Sequence, residues 1–151
     1  MRLPRFLTPS TTVSAHCDLP CGVYDPAQAR IEAESVKAIQ EKYQGNEDPV
    51  FRQRAVLIKE QRADLVKHHL DVLWHDYFKG EHFAKYPDLH TQFNDAAKLA
   101  GGLKAKQSMD PADGQALLDA IDAIAAVFWE TKGGKPQQQA PEGAVRTATG
   151  A

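Results

Sequence analysis

The chain has 151 residues, 42% of them apolar and 25% charged, the proportions of one ordinary globular domain able to bury its own core. A formal net charge of −2 gives no electrostatic basis for binding nucleic acid or an anionic membrane, and no apolar run approaches the roughly 20 residues that span a bilayer. The only two cysteines, Cys17 and Cys21, would close too small a loop for a disulfide scaffold, so metal or redox chemistry in a reducing compartment suits them better.

Residues 1–15 are basic, free of acidic side chains and broken by Pro4 and Pro9. They begin and end like a secretory signal (Val13-Ser14-Ala15 being small) but have no continuous apolar stretch between, so they read as a short leader that is removed, with the cytoplasm as the expected location. Next comes His16-Cys17-Asp18-Leu19-Pro20-Cys21-Gly22-Val23-Tyr24, a segment rich in metal donors.

From residue 25 to 132 the periodicity is helical throughout and strand-like alternation is absent. Asp25-Pro26 opens a first helix that runs to about Gln44, with a stripe of Glu32, Val36, Ile39 and Tyr43. Asp48-Pro49 opens a second, uninterrupted to about Phe78 and about 45 Å long. Its stripe is Phe51, Ala55, Ile58, Arg62, Leu65, His69 and Val72. A third begins near Pro87 with Leu89, Phe93, Ala96, Ala100 and Leu103, and a fourth at Asp110-Pro111 with Leu117, Ile121, Ile124 and Phe128. Short connections make successive helices antiparallel neighbours, so the expected fold is all-α, an antiparallel four-helix bundle carrying an N-terminal metal-binding hook. Residues 133–151, rich in Gly, Pro, Gln, Ala and Thr, read as a disordered tail. Two charges interrupt the stripes, Glu32 and Arg62. They can pair with each other as part of a site, or equally as a boundary pair partly open to solvent.

Counting ligands removes the common uses of the cysteines. Structural zinc takes four protein donors, usually two Cys pairs or a Cys pair with a His pair, and here there is one Cys-x-x-x-Cys and no second half. His68 and His69 are adjacent and point apart on a helix. The spacings for haem attachment and thioredoxin-type exchange are absent. Cleavage after Ala15 changes the count, because His16 then supplies a free α-amine. That amine, the Cys17 amide nitrogen and the two thiolates make a planar two-nitrogen, two-sulfur set suited to nickel or copper, with the His16 imidazole left for an axial position and Pro20 bending the chain.

The pattern His-Cys-x-x-Pro-Cys-x-x-Tyr resembles the nickel hook of the nickel-containing superoxide dismutases. Asp25–Glu34, Lys59-Glu60-Gln61-Arg62, Lys67-His68-His69 and Trp74-His75-Asp76-Tyr77-Phe78-Lys79 resemble that family too, so the likeness spans roughly residues 16–132. It implies one nickel ion per chain held by His16, Cys17 and Cys21, with Pro20 shaping the hook and Asp18 in its hydrogen-bonded wall. It also implies Tyr24 and Tyr77 as the catalytic side chains limiting access, and Glu32 with Arg62 as the tether of the axial imidazole. The reaction implied is disproportionation of superoxide to dioxygen and hydrogen peroxide by Ni(II)/Ni(III) cycling, with Lys79 a possible attractor of the anion. A leader-processing protease and a homohexamer come with the resemblance, while no nucleic-acid or membrane partner is expected. The rival reading is a nickel or copper carrier or sensor without turnover, which needs the ligands but not the tyrosines or the tether.

Overall fold

The computed structural model describes residues 22–102 and 105–133. The leader, the hook donors His16, Cys17 and Cys21 with Asp18 and Pro20, Leu103, and the tail from residue 134 lie outside the described residues.

The described chain is helical: α1 (Ala27–Gln44), α2 (Pro49–Val72), a π-helical turn (Leu73–Tyr77), α3 (Gly80–Lys85), α4 (Leu89–Gly101) and α5 (Pro111–Thr131). No strand occurs among the described residues. The starts of α1, α2 and α5 share one local cause. The Asp25 carboxylate accepts from the Ala27 amide at 2.8 Å, Asp48 from Val50 at 3.1 Å, and Asp110 from Ala112 at 2.9 Å. In all three the next residue is proline, whose fixed φ suits a first turn and whose missing N–H would have gone unbonded there. α1 packs on α2 and α5, and α4 packs on α2 and α5, closing a four-helix ring.

Two features depart from the expected four helices. The second helix does not stay regular to Phe78, because its last turn widens and the Phe78 amide donates to the Leu73 carbonyl at 3.0 Å, five residues back. The short α3 then fills the connection to α4.

The interior faces of α4 and α5 are the expected ones: Leu89, Phe93, Ala96 and Ala100 meet Leu117, Ile121, Ile124 and Phe128, all buried. Those of α1 and α2 are partly displaced: Val36, Ala55 and Val72 are buried as expected. The buried lines, however, run Ala29, Ala33, Val36 and Gln40, and Ala55, Lys59, Ala63, Val66, Leu70 and Val72, whereas Ile39, Tyr43, Phe51 and Leu65 are half-buried and Ile58 is exposed. The cause is polar. Lys59 is fully buried, its ammonium donating to the carbonyls of Lys106 and of Ser108, the latter at 2.8 Å, and the Gln40 amide donates to Ser108 O at 3.1 Å. These bonds hold the loop between α4 and α5 against the bundle and place polar residues where the stripe rule puts apolar ones. Burial lowers the Lys59 pKa from its usual 10.5, with Glu60 opposing part of the effect.

At the same end α1 and α5 approach closely at Gly114, where a Cβ would lie 2.8 Å from Lys37 Cα. At the opposite end Arg30 ties the same two helices through Asp122 at 3.0 Å, and pairs with Glu34 along α1.

Candidate metal centre

The described chain begins where the cysteine segment ends. Gly22 has φ +71°, a left-handed conformation that glycine adopts without strain. Val23 is 77% exposed, while Tyr24 is half-buried against the core. The Tyr24 ring lies 5.6 Å from Tyr77, centroid to centroid, at 57°. The root of the hook therefore rests on Tyr77, and Tyr24 and Tyr77, 53 positions apart in sequence, stand side by side.

Tyr77 owes its place to the π turn. The widened turn ends α2 and delivers the ring against Phe128 of α5 at 4.4 Å and edge-on to Phe78 at 4.9 Å. π turns recur at functional sites because one extra residue re-aims the side chains that follow. His82 of α3 stacks on Tyr77 at 5.7 Å and 10°. Its Nδ1 accepts from the Lys79 amide at 3.0 Å, so in the neutral ring the proton sits on Nε2. Lys79 itself is exposed at the start of α3.

Glu32 and Arg62 are also brought together. The Arg62 Nη1 lies 3.1 and 3.4 Å from the two carboxylate oxygens of Glu32, linking the second turn of α1 to α2. Glu32 is 16% exposed at its side chain and Arg62 38%, so the pair borders solvent. A pair at this partly solvated position adds at most about 1 kcal/mol to stability.

Among the described residues no group of three or more His, Cys, Asp and Glu side chains is placed to hold a metal ion. The adjacent His68 and His69 rings meet edge to face at 5.3 Å, His68 exposed and His69 half-buried. Donors for a soft or borderline metal thus concentrate in residues 16–21, directly before the described chain begins at Gly22.

The family profile of nickel-containing superoxide dismutase matches residues 11–132, most of the chain and all of the hook. The chain belongs to the nickel-containing superoxide dismutases. Nickel superoxide dismutases of Streptomyces coelicolor and Streptomyces seoulensis are each 65% identical to it over 130 residues, 86% of this chain and 98% of each relative. A native crystal structure of nickel superoxide dismutase superposes with a TM-score of 0.75 at 65% identity, covering 78% of this chain and 99% of that one. A structure with nickel ligation of the oxidised state gives 0.75 at 66%, with the same coverage.

Sequence reasoning missed three members of the Tyr77 surroundings in this family member: His82, Thr131 and Lys132. The Thr131 hydroxyl lies 2.6 Å from that of Tyr77, and the Lys132 ammonium stands 5.0 Å from its ring centroid. No local motif marks any of them, because their meeting depends on where α3 and the end of α5 come to lie.

Proposed function

We infer that this protein removes superoxide by nickel-dependent disproportionation: two superoxide anions and two protons become dioxygen and hydrogen peroxide. The observation that carries the reading is the family match running unbroken through the donor segment 16–21. The donor set agrees chemically, since two thiolates with imidazole, amine and amidate nitrogen suit nickel and fall short of a zinc or haem site. The bound nickel supplies the one-electron oxidation and reduction. His16, Cys17 and Cys21 would hold it, one ion per chain, with Pro20 and Asp18 shaping the hook.

The remaining work falls to this chain's own side chains. Tyr24 and Tyr77 flank the root of the hook and would admit only a small molecule, excluding chelators and larger reductants. Glu32 accepts from Arg62 and would orient the His16 imidazole through a further hydrogen bond. Lys79 and Lys132 place positive charge on an otherwise weakly acidic chain, which favours arrival of an anion.

Removal of residues 1–15 by a processing protease belongs to the same reading, because the amine ligand exists only when His16 is first. A homohexamer would shelter the hooks. Exposed Val50, Leu57 and Ile58, with a groove lined by Ile39, Phe51 and Ala55, support a subunit contact on the α1–α2 face. No described helix is long and apolar enough to cross a membrane, and action in the cytoplasm is part of the proposal.

The test is the chain beginning at His16, loaded with nickel. Fast superoxide removal that is lost in Cys17→Ser and in Cys21→Ser supports the enzyme. Tight nickel binding without turnover would instead make it a carrier or sensor.

A further inference from the structure

Tyr77 has a hydroxyl whose direction the surrounding bonds decide. Its Oη lies 2.6 Å from Thr131 Oγ1, and either oxygen could donate if the pair stood alone. It does not stand alone. Thr131 Oγ1 is also 2.6 Å from the carbonyl oxygen of Phe128, one turn back along α5. A carbonyl only accepts, and a threonine hydroxyl has one hydrogen, so that hydrogen goes to Phe128 and Tyr77 becomes the donor to Thr131. The chain of bonds runs one way, from Tyr77 to Thr131 to Phe128. The tyrosine ring is held in the same pose by Phe128 at 4.4 Å and by His82 stacked at 5.7 Å.

We propose that Thr131 is a positioning residue for the superoxide reaction, holding the Tyr77 proton toward α5 so that the phenol oxygen, on the ring beside Tyr24, is left as an acceptor. An acceptor at the mouth binds water and hydrogen peroxide, which carry hydrogens, and offers nothing to an anion that has only lone pairs. Tyr77 thereby orders the protonated species and discriminates against bystander anions, while attraction of superoxide is left to the lysines nearby. This rests on Tyr77 standing at the mouth of the nickel site. Without Thr131 the phenol proton is released, and the hydroxyl can turn to donate to an anion.

Three variants test it: Thr131→Val, which keeps the shape and removes the hydroxyl, Thr131→Ser, which restores it, and Tyr77→Phe. Proton NMR of the full chain reads the bond without nickel. A slowly exchanging phenolic proton is expected in the parent and in Thr131→Ser, and is lost in Thr131→Val and in Tyr77→Phe. In the nickel-loaded chain starting at His16, azide serves as an anion with no hydrogen to give. Thr131→Val is expected to bind azide about fivefold more tightly than the parent, the worth of one net hydrogen bond, with Thr131→Ser back at the parent value. General damage to the site would weaken azide, so the sign separates positioning from structure. If Tyr77→Phe changes azide inhibition or rate but Thr131→Val leaves azide inhibition as it was, the inference is overturned while the mouth reading stands. If Tyr77→Phe changes neither, both are overturned.

Discussion

Glu32 is the residue at which structural and functional roles separate most cleanly. Its bond to Arg62 borders solvent, so the bundle depends on it little. A group that orients a metal-binding imidazole is another matter, and losing one typically costs about 10- to 100-fold in activity or metal affinity. Glu32→Gln should therefore lower the superoxide rate by about that factor while moving the thermal midpoint by no more than a few degrees, read by stopped-flow kinetics and calorimetry on the same preparation. A large drop in both would make the residue structural. The pairing of Glu32 with Arg62 was legible in the sequence because a charge interrupting an apolar stripe needs a partner. Thr131 was not, since nothing in its neighbours distinguishes a threonine that ends a helix from one that holds a tyrosine. Gly22 belongs with the legible residues only in hindsight: its left-handed φ appears in the fold and not in the composition.

At the scale of elements, the helix starts were readable and the buried faces of α1 and α2 were not. Asp-Pro fixes a start through local chemistry alone, an acceptor for a free amide and a ring with the right φ. A buried face is decided by what lies across it, and here the carbonyls of Lys106 and Ser108 draw Lys59 and Gln40 inward. The π turn is hidden for the same reason, being one residue of slack that Phe78 takes up in the core. Lys59 gives a pH test. Its folded pKa lies below the unfolded 10.5, so the folded state resists charging it and pays for burial at neutral pH. As pH rises from the folded value toward 10.5 the unfolded chain holds more protons, and that cost is relieved. The stability difference between the parent and Lys59→Met should therefore shift in the parent's favour across that window, measured by denaturant titration at several pH values. An unchanged difference would mean that Lys59 is not desolvated. Gly114→Ala should lower stability by about 1–3 kcal/mol, against the gain in helix propensity, because a Cβ there meets the α1 backbone.

For the molecule as a whole, charge and assembly make separable predictions. The chain is net acidic, yet Lys132 stands over Tyr77 and Lys79 is exposed at the start of α3, so attraction of superoxide has to be local. Lys132→Gln should lower the rate about two- to threefold at low salt and converge with the parent near 1 M, where the screening length falls to about 3 Å. A deficit that persists at high salt would assign Lys132 a packing role against Tyr77 and Phe128. If six copies assemble through the α1–α2 face, Leu57→Glu with Ile58→Glu should reduce the sedimenting species below a hexamer while leaving helicity intact. The all-α bundle and the donor segment were visible in sequence because both are periodic or contiguous. Of the residues around Tyr77, His82, Thr131 and Lys132 were not, because they come from α3 and the end of α5. The central claim is that a free amine at His16 completes the nickel site. Its most direct test compares two nickel-loaded chains, one beginning at His16 and one retaining Ala15, by superoxide removal in stopped flow. The first should be fully active and the second inactive; equal activity in the two would contradict the amine ligand and, with it, the need to remove the leader.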